Sequence, residues 1–178
     1  MNSLTDKYTL INSVEVPCIA FGTWKMPEEI AANAVKCAIE SGYRHIDTAA
    51  AYQNEEYVGK GIRESGVKRE EIFLVSKLPN DDHGYQNAID SCERSLKRLK
   101  TDYLDSYLIH WPVLVENVDR LEDDLCETWR AFEKLYNDGK LRSIGTSNFL
   151  EEHIEIIKRN FSTYPMINQV QMHPQNPQ

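Results

Sequence analysis

Basic residues are in short supply in this chain of 178 residues: 20 Lys and Arg stand against 28 Asp and Glu, a formal net charge of −8. Such an excess of acid disfavours broad attachment to nucleic acid or to an anionic membrane. It leaves room for a local basic pocket that takes one phosphate-bearing cofactor. No apolar run approaches the roughly 20 residues of a membrane helix, and the start, MNSLTDKYTL, has no basic segment leading into an apolar core. Cysteine is sparse too. Cys18, Cys37, Cys92 and Cys126 form no CxxC pair, which removes the usual zinc and redox spacings and predicts no metal site. They read as thiols of a reducing compartment, so the expectation is a cytoplasmic protein without nucleic-acid or membrane partners. A GxGxxG loop after a strand is also missing. Its nearest approximation, Gly59-Lys60-Gly61, lies inside a helical pattern, which argues against a Rossmann domain without removing other open sheets from consideration.

What is present is a rhythm. YTLINSVEVP reads as a hairpin turning about Asn12 and Ser13. Apolar, strand-like runs follow at CIAFG, YRHID, EIFLVSK, LDSYLIH, LRSIG and INQVQ, with amphipathic stretches between them. Leu125, Trp129, Phe132 and Leu135 make one helical stripe, and Ala88, Cys92, Leu96 and Leu99 make another. Pro27 stands where a first helical turn would begin, Asn54 looks like a good start for the helix after Tyr52, and Gly42, Gly66 and Gly139 follow helical ends. Strands alternating with helices predict a parallel sheet in a single domain over 1–178. An open doubly wound sheet and a (β/α) barrel both satisfy that pattern.

Polar residues terminate the apolar runs: Asp47, Lys77, His110, the pair Ser147 and Asn148, and Gln169. Most are spaced by roughly 30 or more residues, one βα unit, so in a barrel they converge on the face where such folds place their chemistry. Each has an ordinary explanation alone. Asp47 could cap a helix, Lys77 could be solvated, His110 could be a satisfied core group, and Tyr52 could simply pack. Jointly they fit carbonyl reduction, which needs a proton for oxygen as well as a hydride for carbon. Tyr52 is the expected acid. A phenol titrates at about 10, and an ammonium about 4 Å away favours phenolate by roughly 4 kcal/mol at an effective dielectric of about 20. On this reading Lys77 brings Tyr52 towards working pH. Asp47 then orients Lys77, His110 meets the substrate oxygen, and Trp24 and Trp111 form apolar walls.

With those residues in place the chain resembles the aldo-keto reductases, in GYRHIDTAAAYQNE, VSKL, YLIHWP, GKLRSIGTSNF and INQVQMHP, in that family's order. The resemblance implies an α/β fold of the (β/α)8 TIM-barrel type. It also implies NADPH bound without a Rossmann fold, with NADH as the alternative, and reduction of small aldehydes and ketones. By position it implies catalytic roles for Asp47, Tyr52, Lys77 and His110, with Tyr52 as proton donor. It implies cofactor contacts for Gly22, Thr23, Asp47, Ser147, Asn148 and Gln169, and substrate contacts for Trp24, His110 and Trp111. The sequence departs from the pattern at Pro79, where many relatives carry tryptophan, and at Gln171, where relatives often carry glutamate. A full barrel takes about 250 residues, whereas the expectation here is a hairpin, six parallel strands and five connecting helices: an incomplete barrel. Unpaired barrel edges suggest two further outcomes, self-association and an inactive fragment. Another barrel enzyme, an isomerase or lyase using the same rim, is a third.

Overall fold

A computed structural model describes Leu4 and residues 6–112 and 119–177. Strands β1 (Lys7–Thr9) and β2 (Glu15–Pro17) form the antiparallel hairpin. Its turn has Ser13 in the left-handed region (φ 67°), and Asn12 donates to the Arg142 carbonyl (2.9 Å), fastening the hairpin to the start of a later strand. The remaining strands are β3 (Phe21–Gly22), β4 (His45–Asp47), β5 (Phe73–Leu78), β6 (Ser106–Ile109), β7 (Ile144–Ser147) and β8 (Asn168–Gln169). They form one parallel sheet in chain order. Helices α1 (Glu28–Glu40), α2 (Glu55–Glu64), α3 (Tyr85–Leu99), α4 (Leu121–Asn137) and α5 (Glu151–Asn160) connect them.

Side-chain alternation along the strands sorts the molecule into two apolar regions. Leu74 and Leu78 of β5 join Ile46, Ile109 and Ile144 under the helices, where both predicted helical stripes are buried. Each fully buried Leu, Ile or Phe contributes about 1.5–3 kcal/mol by leaving water. Phe73 and Val75 face the other way, into a smaller cluster with Leu108 that Val16 of the hairpin covers. Lys77 follows in the same parity, so β5 delivers its ammonium to the inner face. The sheet is strongly curled. In a flat sheet β4 and β8, four spacings apart, would be separated by about 19 Å, yet Gln169 of β8 donates to the Asp47 carboxylate of β4 at 2.9 Å.

Local details follow the sequence with two exceptions. Pro27 occupies the position before the first helical residue of α1 rather than the first turn itself. Asn54 precedes α2 as a cap would, but its side chain caps nothing. Gly59 and Gly61 have a packing reason in place of a phosphate-loop role. A Cβ on Gly59 would lie 2.3 Å from the Leu99 carbonyl oxygen, and one on Gly61 would lie 2.4 Å from that of Ala32. Gly59→Ala is therefore expected to cost about 1–3 kcal/mol through overpacking, despite the roughly 1 kcal/mol that alanine gains in helix propensity. Thermal unfolding of the variant measures it; an unchanged midpoint would mean that α2 and α3 separate freely.

At the sheet's N-terminal end, buried Asp105 joins Arg69 (2.8 Å), Arg142 (2.7 Å) and the Leu74 amide (3.0 Å). That network ties the starts of β5, β6 and β7. A cavity of about 720 Å³ lined by Lys7, Arg44, Asp105 and Arg142 opens there. It lies at the opposite end of the strands from the residues singled out above.

Candidate active site

The C-terminal ends of β4, β5 and β6 carry the first group. Asp47 is the last residue of β4, and a single 3-10 turn, Ala50–Tyr52, brings Tyr52 back over the strand end. Lys77 lies in β5, while His110 follows β6 directly, its amide bonded to the Leu78 carbonyl. Lys77 Nζ is 2.7 Å from Asp47 Oδ1, 3.0 Å from the Thr48 carbonyl oxygen and 3.3 Å from Tyr52 Oη. The His110 ring meets Tyr52 edge-on, with centroids 5.7 Å apart. The four residues predicted from the strand ends thus come together, and Lys77, only 1% exposed, sits at their centre.

Burial dominates the electrostatics, and here the sequence expectation about the phenol is corrected. Desolvation and then the Asp47 carboxylate push Tyr52 up to about 12, where the sequence reading had Lys77 drawing it down. From the phenol, Lys77 and Asp47 form a nearly neutral pair at 2.7 Å, so little net positive field remains to offset burial. Burial also lowers Lys77, opposed by Asp47. Burial and then the Lys77 charge lower His110 from 6.5 to about 4. His110 is therefore neutral near pH 7 and offers one ring N–H as donor. An NMR titration of its ring is expected to give a midpoint near 4; a midpoint near 6.5 would contradict this. The sign for folding follows. Between pH 6.5 and 4 the unfolded chain binds this proton and the folded chain does not, so His110 makes stability fall as pH drops through that window.

The second group lines the neighbouring strand ends. Ser147 Oγ donates to the Gln169 carbonyl (2.9 Å), and Asn148 Nδ2 donates to the His110 carbonyl (2.9 Å) and lies 3.1 Å from Ser147 Oγ. Asn148 itself is in the left-handed region (φ 59°). Gln169 reaches Asp47 and so links this group to the first. Gly22 ends β3 and is exposed. Thr23 is fully buried, and its hydroxyl lies within donating distance of the Asp47 carbonyl (3.2 Å) and Thr48 Oγ1 (3.0 Å). Trp24 and Trp111 are not enclosed; they are 67% and 48% exposed, so the expected apolar walls stand open to solvent among the described residues.

Sequence reasoning missed Thr48 and the inward role of Asn54. Thr48 serves Lys77 through its main-chain carbonyl, for which no residue type gives a signal. Asn54 before an acidic helical turn carries the signature of a cap, and that reading hid its buried contacts.

The fold agrees with the comparisons. A family model for the aldo/keto reductases matches residues 18–178. The chain belongs to the aldo/keto reductase family. It is 51% identical over 173 residues to a glyoxal reductase of Bacillus subtilis (strain 168), covering 97% of this chain and 60% of that protein. It is 46% identical over 175 residues to a 9,11-endoperoxide prostaglandin H2 reductase of Trypanosoma cruzi (strain CL Brener), covering 98% and 59%. Among solved structures, an aldo/keto reductase from Brucella melitensis superposes with a TM-score of 0.90 at 43% identity, covering 98% of this chain and 66% of that one. A Bombyx mori aldo-keto reductase in complex with NADP gives 0.89 at 38% identity, covering 99% and 61%. The chain thus spans about 60% of the length of the curated relatives it matches. The (β/α)8-type architecture read from the sequence is supported, with six of the strands present in this sheet. No helix among the described residues is long and apolar enough to cross a membrane.

Proposed function

We propose that this rim reduces the carbonyl of a small aldehyde or ketone at the expense of NADPH, with Tyr52 as proton donor. The observation that carries the proposal is the hydrogen-bonded chain Asp47–Lys77–Tyr52, with neutral His110 edge-on to the phenol. A dicarbonyl such as glyoxal is the favoured substrate class, on the likeness to the glyoxal reductase. The donor set suits a nicotinamide: Gln169 sets a carboxamide beside Asp47, and Ser147 and Asn148 next to Gln169 add a hydroxyl and a second carboxamide, chemistry that matches a carboxamide and a ribose hydroxyl. When bound, the reduced nicotinamide supplies the hydride.

The remaining steps belong to the chain's own residues. The His110 N–H orients the substrate oxygen towards Tyr52. As negative charge develops on that oxygen, Tyr52 gives up its phenolic proton. A group titrating at about 12 is fully protonated at neutral pH. Its proton passes downhill to an alkoxide, whose basicity is close to that of hydroxide (water, about 15.7). The Lys77 ammonium, 3.3 Å away, then faces the phenolate left behind, and Asp47 keeps that ammonium in place. This is electrostatic support directed at charge that forms during the reaction, and it does not require a lowered resting pKa.

Incubation with NADPH and glyoxal, following the absorbance of the reduced cofactor, tests the proposal. Steady loss of absorbance with alcohol formed in equal amount is expected. Neither turnover nor quenching of tryptophan fluorescence by NADPH would sink it. One observation favours a second reading: among the described residues β3 and β8 each pair on one side only. Open edges recruit strands, so self-association is the alternative. Sedimentation giving a monomer across the micromolar range would remove it.

A further inference from the structure

Asn54 is completely buried, and its side chain makes three hydrogen bonds that use both of its N–H donors and its carbonyl oxygen. Nδ2 donates to the carbonyls of Thr23 (2.9 Å) and Met26 (3.2 Å), the two residues that bracket the turn carrying Trp24 and Lys25. Oδ1 accepts from Thr48 Oγ1 (3.3 Å). Thr48 in turn offers its carbonyl to Lys77 Nζ, and its hydroxyl also receives that of Thr23. The next residue, Glu55, is 1% exposed and anchored to Ser76 Oγ (2.5 Å) and to Arg98 (2.6 Å). Asn54 is thereby fixed from behind by α3 and β5. One amide therefore joins the β3–α1 turn to the backbone that receives the buried lysine.

We propose that Asn54 is a positioning residue that sets the Trp24 turn and the Lys77 ammonium as one unit. It touches neither substrate nor reacting atoms and acts through the Thr23–Met26 turn and through Thr48. A capping role alone would give a different outcome under substitution. Aspartate is as good a helix cap as asparagine, but in this place its carboxylate would oppose two carbonyl oxygens. Asn54→Asp thus keeps whatever a cap could offer while opposing the two carbonyl contacts, and Asn54→Ala removes those contacts outright.

The role in catalysis builds on the reductase reading; the structural coupling does not. Three measurements on the full chain test it. Trypsin cleavage after Lys25 is expected to accelerate about tenfold or more in both variants, relative to cleavage elsewhere. In Asn54→Ala, which adds no charge, the Lys77 titration, followed by carbon-13 NMR of labelled lysines, is expected to move to lower pH, because the Thr48 carbonyl no longer holds the ammonium as well. Asp47, Tyr52 and His110, the other groups facing Lys77, are unchanged in these variants. In turnover assays, kcat is expected to fall about tenfold or more in both variants, with its alkaline limb moving to lower pH in Asn54→Ala. Folded variants with unchanged cleavage at Lys25 and an unchanged Lys77 titration would overturn the proposal, as would an Asn54→Asp protein that behaves as the parent. If neither variant folds, the parent protein decides the matter. Slow exchange of the Asn54 side-chain amide protons supports the clamp, and exchange at the rate of an exposed amide overturns it. A parent chain that never oxidises NADPH defeats the reductase reading alone, since the cleavage and titration measurements remain decisive for the coupling.

Discussion

Replacing Tyr52 by phenylalanine is expected to lower aldehyde reduction by about 10²–10⁴-fold, the usual contribution of a positioned general acid, while NADPH still quenches tryptophan fluorescence. The phenyl ring retains the edge contact with His110, so packing changes little. Only the hydroxyl 3.3 Å from Lys77 Nζ is lost. A large drop in kcat at constant cofactor affinity is therefore the specific signature. If Tyr52→Phe kept more than about a tenth of the activity, the proton would have to come from His110 or from water, and the assignment would fall.

Asp47→Ala carries the largest expected effect on folding. Lys77 is 1% exposed, and its strongest partner is the Asp47 carboxylate at 2.7 Å. Removing one member of a buried pair leaves the other charge uncompensated, at a cost of about 3–5 kcal/mol. Urea denaturation is expected to show that loss, accompanied by a Lys77 titration at still lower pH than in the parent, because burial already lowers it and Asp47 opposes that shift. The altered protein would be most penalised below the folded titration of Lys77, where the buried ammonium must stay charged without its partner. Its stability should therefore rise with pH through the interval between the folded and unfolded titrations. A loss below about 1 kcal/mol would show that Thr48 and Tyr52 suffice to hold the ammonium.

The parts of this molecule legible in the sequence are those set by short-range periodicity. The hairpin turn at Ser13, the alternation that turns Lys77 inward with Phe73 and Val75, and the stripe Leu125, Trp129, Phe132 and Leu135 all follow from spacing along a strand or helix. The meeting of Asp47 with Lys77 followed from strand ends in register, since β4 and β5 pair directly. Less legible was what depends on how deeply a group lies. Tyr52 moved opposite to the sequence expectation because desolvation outweighed the neighbouring cation, and depth has no signature in a single residue. Asn54 was misread because one residue type serves both capping and burial. Thr23 and Trp24 are adjacent, yet one is fully buried and the other 67% exposed, a contrast set by a turn whose anchor lies some thirty residues away.

One consequence of the Lys77 environment concerns tolerance to change. Two of its three contacts, to Asp47 and Tyr52, are side chains that a single substitution can delete, but the third is the Thr48 carbonyl. A main-chain acceptor is present whatever residue occupies position 48. Point replacement there can tilt the acceptor but cannot erase it, so genetic variation at this position would act as a fine adjustment of the lysine. At positions 47 and 52 the same variation would act as a switch.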